Sequence, residues 1–160
     1  MVRVGFGFDV HRLAEGETLW LGGVQLEHYK GTVAHSDGDV VLHAISDALL
    51  GAAKLRDIGY HFPNTDPKYK NADSKMLLQE CMKLVEAKGY TLGNIDVTIA
   101  AEQPKLKPAI PQMEVCIAQL LGVDEDLISI KATTTERMGF EGREDGISTY
   151  AVVLIESTKN

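Results

Sequence analysis

Val2-Arg3-Val4-Gly5-Phe6-Gly7-Phe8-Asp9-Val10-His11-Arg12-Leu13 reads as one extended strand beginning at the second residue of the chain. Alternate side chains of a strand share a face, with Cα atoms roughly 6.5 Å apart, so Asp9 and His11 project together and can reach one metal ion. Gly5 and Gly7 lie inside the strand, where close packing or a bulge accounts for them better than a phosphate loop does. The turn signal Ala14-Glu15-Gly16-Glu17 then leads into a second extended stretch over 18–27.

Beyond it, Leu42, Ile45, Leu49 and Ala52 recur at helical spacing and predict a helix over 38–53, with Ser36 and Asp39 as its start signal. Residues 54–72 hold Pro63 and Pro67 without a period and read as a long loop. A second helix is expected over 73–88, capped by Asp73, striped by Leu77, Cys81 and Leu84, and closed by Gly89. A strand over 91–101, a helix over 108–121 ending at Gly122, and strands over 127–134 and 147–156 complete the chain. The order ββ-α-α-β-α-β-β predicts an α+β fold: a mixed sheet with helices packed on one face, a ferredoxin-like sandwich. One domain over 1–160 fits this length.

Sixteen basic and 23 acidic residues give a net charge of −7. That field repels nucleic acid and anionic membrane, so neither is expected as a partner. An anionic substrate would have to be held by metal ions, backbone N–H groups and a few placed cations. Cys81 and Cys116 match no zinc spacing and are expected to be buried thiols. The first residues lack a basic flank and an apolar run, and no stretch nears the roughly 18 apolar residues of a membrane span, so a cytoplasmic location is expected.

His43, early in the first helix, is the candidate third partner of Asp9 and His11. Two imidazoles and one carboxylate leave a zinc ion with an open fourth position, as catalytic rather than structural sites do. Asp39 and Asp47 lie one turn to either side of His43, placed to orient its ring. His35-Ser36-Asp37-Gly38-Asp39, at the helix start, either caps the helix or helps to hold an anion. Asp57-Ile58-Gly59 and the following His61–Asp66 segment suit hydroxyl recognition or lid closure, or form a plain solvated loop. Thr133-Thr134-Thr135-Glu136, at a strand end, could hold a phosphate and a magnesium ion together. Ala101-Glu102-Gln103-Pro104-Lys105-Leu106-Lys107-Pro108, stiffened by prolines, could pocket a base and set Lys105 near phosphate.

Taken together, four blocks closely resemble the 2-C-methyl-D-erythritol 2,4-cyclodiphosphate synthase family: Gly5–His11, His35–Asp39, Asp57–Pro63 and Thr133–Arg143. The resemblance runs from Arg3 to about Ile155. It implies a homotrimer with active sites between subunits, and the non-mevalonate isoprenoid substrate 4-diphosphocytidyl-2-C-methyl-D-erythritol 2-phosphate. By the same resemblance, zinc rests on Asp9, His11 and His43, and Glu136 helps to hold a magnesium or manganese ion. His35 and Thr134 match the groups that steady the transition state. Asp9, Val10, His11, Ser36, Asp57, Ile58, Gly59 and the loop of Phe62, Pro63, Asn64, Thr65 and Asp66 match the erythritol-phosphate end. Ala101, Glu102, Gln103, Pro104, Lys105, Leu106 and Lys107, with Thr133 and Thr135, match the cytidine diphosphate end. Phe140 and Arg143 match residues lining an axial cavity where isoprenoid diphosphates bind. There the usual Gly-Arg-Gly-Glu-Gly is replaced by Gly142-Arg143-Glu144-Asp145-Gly146.

A second reading is a non-enzymatic trimeric sensor of small anions. An open metal triad plus a further carboxylate at a strand end argues against it, since a sensor needs neither.

Overall fold

Residues 1–159 are described by a computed structural model in which the first strand governs how closely helix and sheet approach. The first half of the chain forms β1 (Val2–Glu15), β2 (Leu19–Leu21), β3 (Val24–Leu26), β4 (Lys30–Thr32), α1 (Val40–Ala52), α2 (Ile58–His61) and α3 (Ser74–Ala87). The second half forms β5 (Tyr90–Ala100), α4 (Ile110–Leu121), β6 (Ile128–Thr133), α5 (Gly139–Gly142) and β7 (Gly146–Ser157). Five strands make one mixed sheet in the order β4-β1-β7-β5-β6, parallel between β5 and β6 and antiparallel elsewhere.

Alternation along β1 and β7 sorts the two faces. Gly5, Gly7 and Leu13, with Ile147, Ala151, Val153 and Ile155, turn inward. A Cβ at Gly5 would stand 1.9 Å from the carbonyl oxygen of Ala48, and one at Gly7 1.9 Å from that of Ala44. Only glycine lets α1 lie this close to the strand. The inner face joins one core with Ile45 and Leu49 of α1, Leu78 of α3 and Met113 of α4. Burying each such side chain contributes about 1.5–3 kcal/mol. The mixed α+β architecture with helices over one sheet face is therefore as expected.

The opposite face differs. Val2, Val4, Phe6, Phe8 and Val10 of β1 and Tyr150 and Val152 of β7 are exposed, from 39% for Tyr150 to 65% for Val4. Phe8 and Tyr150 already pack, with ring centroids 5.2 Å apart.

Several expectations need correction. The single strand over 18–27 is instead the hairpin β2–β3, separate from the main sheet, followed by β4; Gly22 and Gly23 turn the chain with positive φ. The long loop holds the short helix α2 and a 3₁₀ turn at Pro67–Tyr69. Helix α3 buries Leu78, Cys81, Met82 and Val85, one step round from the expected stripe. Leu77 lines a cavity instead. The cap of α1 is Asp39, whose Oδ1 accepts from Leu42 N–H at 3.1 Å, and Ser36 lies outside the helix. Cys81 is buried, and burial pushes its thiol up to about 12, but Cys116 is only half-buried. Among the described residues, no helix is long and apolar enough to cross a membrane.

Candidate active site

The inward face of β1 carries Asp9 and His11 past the two glycines to the first turns of α1, where His43 meets them. Asp9 Oδ2 stands 3.0 Å from His11 Nδ1 and 3.1 Å from His43 Nδ1. One potential ligand atom from each residue falls within a common 4.8 Å. His11 Nδ1 is buried and, close as it is to Asp9, is not angled to donate to it. A carboxylate and two imidazoles gathered this closely are the donor types zinc takes, so this set fits a metal ion.

The electrostatics agree. Burial would raise the Asp9 carboxyl, but the imidazoles of His11 and His43 outweigh it and hold it at about 2. Burial works against charging His43, yet Asp9 first, then Asp39 and Asp37, push its pKa above the ordinary histidine value. Without a cation the neighbouring carboxylates favour the charged form of the His43 ring.

Neither carboxylate expected to orient His43 does so. Asp39 is buried; besides capping α1 it accepts from Gly22 N–H at 2.9 Å and Gly23 N–H at 2.7 Å, tying the β2–β3 turn to the helix. Burial raises its pKa and those N–H groups oppose the rise. Asp47 accepts from Ile58 N–H at 2.8 Å and so anchors α2. The partner of His43 is Ser74, whose Oγ lies 2.7 Å from Nε2. Sequence reading passed over Ser74 because a serine opening a helix looks like part of a cap.

A cavity of about 380 Å³ opens beside the triad. It brings together Asp9, Val10, His11 and His43 with His35, Ser36, Ile58, Gly59, Phe62 and Asn64. Asp57 caps α2 by accepting from Tyr60 N–H at 3.0 Å, and Asp66 caps the 3₁₀ turn by accepting from Lys68 N–H at 2.9 Å. Pro63 and Thr65 lie between them on the same loop, whose far end is held by Asn71 N–H donating to His35 O at 3.1 Å.

The remaining candidates gather elsewhere. Ala101 N–H donates to Thr133 O at 3.0 Å, joining the exits of β5 and β6. Glu102 Oε2 there is buried with no hydrogen-bond partner, and Lys105 Nζ reaches the Glu102 carbonyl at 3.4 Å. The Ala101 and Leu106 side chains sit in the core, so contacts from them to a ligand fall to the backbone, while Gln103, Pro104 and Lys107 follow the same turn. Thr134 Oγ1 accepts from Glu136 N–H at 3.3 Å, and Thr135 Oγ1 donates to Met138 O at 2.6 Å. Glu136 and Arg137 both have positive φ, 53° and 63°, a strained pair of the kind that clusters at functional sites. The paired positions Val10, Ser148, Ala100 and Thr133 lie at one level across the sheet. At the usual strand spacing this puts Thr133 about 14 Å from Val10. Within one chain the triad and the threonine segment share an end of the sheet but not a cavity.

Phe140 packs over Gly146 in a second cavity with Val10 and Asp145. Arg143 pairs with Asp145 at 3.0 Å, and Glu144 accepts from the Tyr29 hydroxyl at 2.7 Å.

An α+β sandwich bearing an Asp-His-His triad fit for a metal ion beside a cavity of about 380 Å³ defines the class, and the chain belongs to the YgbB family, which it matches over residues 2–156. Its relatives make the assignment specific. The 2-C-methyl-D-erythritol 2,4-cyclodiphosphate synthase of Bacteroides fragilis is 64% identical over 154 residues, covering 96% of this chain and 97% of that one. The bifunctional IspDF of Campylobacter jejuni superposes with a TM-score of 0.95 at 45% identity over 98% of this chain, which spans only 42% of that longer protein. A synthase solved in a CDP-bound form gives 0.90 at 38% identity, covering 96% of this chain and all of that one. Membership carries the family's activity, a phosphorus–oxygen lyase of non-mevalonate isoprenoid synthesis. Nothing among the relatives supports the anion sensor.

Proposed function

We propose that residues 1–160 form one cyclodiphosphate synthase domain and act on 4-diphosphocytidyl-2-C-methyl-D-erythritol 2-phosphate. The 2-phosphate attacks the β-phosphorus, the bond to the α-phosphate oxygen breaks, and CMP leaves as the cyclic diphosphate closes. The convergence of Asp9, His11 and His43 carries this reading. In-line phosphoryl transfer demands alignment and charge neutralisation more than a covalent nucleophile, and both reactants belong to one molecule. The attacking phosphate is already an anion and needs no strong base.

Asp9, His11 and His43 hold zinc, and Glu136 helps to hold magnesium or manganese; such ions neutralise phosphoryl charge. Ser36, in the triad cavity, positions the erythritol phosphate with the Phe62–Asp66 loop. Thr133 and Thr135 with the Ala101–Lys107 turn take the cytidine diphosphate end, a relative having been solved in a CDP-bound form, and His35 and Thr134 steady the transition state. Incubating the protein with this substrate and Mg²⁺ should release CMP; intact substrate after incubation with folded, zinc-loaded protein overturns the reading.

Active sites between subunits of a homotrimer reconcile the two separated halves, since a neighbouring chain can bring its threonine segment to this chain's triad. The exposed apolar face of β1 and β7 supports such an assembly, because monomers rarely leave patches of this kind open. Phe6→Asp should convert the trimer to an inactive, folded monomer, read by solution mass and circular dichroism. An isoprenoid diphosphate in the axial cavity would meet Phe140 and an Arg143 already paired with Asp145, so its anionic end finds less free charge.

Metal uptake should depend on pH with a fixed sign. Zinc takes the neutral His43 ring, whose pKa is raised in the metal-free protein. Affinity therefore falls as pH drops through that pKa, roughly tenfold per unit for this proton. The metal-free fold has the opposite dependence: the His43–Asp9 pair stabilises it at acid pH, and this is lost as pH rises. Chelator competition at several pH values reads the slope; a flat profile contradicts the assignment.

A further inference from the structure

Ser74 is the first residue of α3 and is buried, and its hydroxyl touches two groups. It donates to Asp37 Oδ1, and it faces His43 Nε2 at 2.7 Å. Asp37 accepts twice more: Oδ1 from the Asp39 backbone N–H at 3.1 Å, and Oδ2 from the Ser74 backbone N–H at 2.8 Å. An ionised carboxylate only accepts, so the serine proton points at Asp37 and a lone pair is left for the imidazole. Nε2 must then carry the hydrogen. That leaves Nδ1, 3.1 Å from Asp9 Oδ2, with its lone pair turned toward the metal position.

We infer that Asp37, acting through the Ser74 hydroxyl, is a positioning residue that fixes His43 in the tautomer able to bind metal through Nδ1. The inference rests on the reading of Asp9, His11 and His43 as the metal site. It names residues outside the triad: Asp37 from the loop before α1 and Ser74, 37 residues later, at the start of α3. The same carboxylate clamps the end of the Phe62–Asp73 connection, so the segment over the cavity and the metal ligand share one anchor.

Two variants separate orientation from mere attachment. Ser74→Ala removes the hydroxyl and keeps the N–H bond to Asp37. Asp37→Asn is nearly isosteric but reverses the polarity of the relay. With its amide oxygen kept on the Ser74 N–H, its NH₂ faces Ser74 Oγ, at the cost of the bond from the Asp39 N–H, and the hydroxyl is turned to donate to Nε2. The hydrogen moves to Nδ1, where it blocks a metal; an aspartate-to-asparagine change beside a catalytic histidine imposes a wrong tautomer in the same way.

The experiment is chelator competition for zinc on the full-length protein at fixed neutral pH. It is accompanied by thermal unfolding of the zinc-free forms and imidazole ¹⁵N spectra of the zinc-loaded forms. Ser74→Ala should weaken zinc about tenfold to a hundredfold, and Asp37→Asn further still, with both folded. Wild type should show a protected Nε2–H on His43 that Ser74→Ala loses. Folded variants that hold zinc as tightly as wild type, or wild type without a protected Nε2–H on His43, overturn the inference. Should Asp37→Asn not fold, Ser74→Ala and the Nε2–H signal decide. Wild type that takes up no zinc, or His43→Ala that keeps it, overturns the site reading instead.

Discussion

Replacing His43 by alanine is expected to abolish stoichiometric zinc binding and lower kcat/KM about a thousandfold or more, while the proposed trimer persists. Charge neutralisation by a metal at a phosphoryl group is worth several kcal/mol, and about 4 kcal/mol corresponds to that factor. Alanine also leaves Asp9 Oδ2 and Ser74 Oγ without the imidazole that both now face. The assembly should survive because the exposed apolar face lies on the other side of the sheet from α1. Metal analysis, steady-state kinetics and solution mass on one preparation check all three. Turnover near wild type without this imidazole contradicts the metal assignment.

Gly7→Ala should strongly disturb folding. The new methyl would stand 1.9 Å from Ala44 O and 2.8 Å from Ala48 N, both backbone atoms of a helix that cannot give way alone. Relief requires α1 to lift from the sheet, at a cost of about 3 kcal/mol or more. For a domain of this size that is roughly a 6–12 °C fall in Tm. The chemistry should fail with it. Asp9 follows Gly7 on the strand and His43 precedes Ala44 on the helix, so lifting the helix separates the two ligands. Gly51→Ala is the control: its Cβ would meet only Phe6 O, at 4.0 Å, and helix propensity predicts a gain of about 0.5–1 kcal/mol. Equal effects of the two substitutions would contradict the packing account.

These sites also show what the sequence could and could not reveal. Asp9-Val10-His11 was readable because a strand's period is short, and both residues share a face whatever the rest of the chain does. His43 was readable as a polar residue on an otherwise apolar helix. Ser74 was not: its role exists only because Asp37, distant in sequence, arrives beside it. The α3 stripe was misplaced because Leu77 is as apolar as Leu78. One faces a cavity and the other the core, and hydropathy does not distinguish these destinations. The split of the second strand turned on Gly22 and Gly23, whose N–H groups are held by Asp39 from the start of α1. The open face of β1 did leave a trace in sequence, in that Val2, Val4, Phe6, Phe8 and Val10 are all large and apolar opposite two glycines. A strand buried on one face only would not be written that way.

The most direct test of the central claim is a crystal of the zinc-loaded protein measured across the zinc absorption edge. One anomalous peak per chain is expected, within bonding distance of Asp9, His11 and His43, with no fourth protein side chain closing the site. A peak elsewhere, or a further side chain completing the coordination, would contradict it.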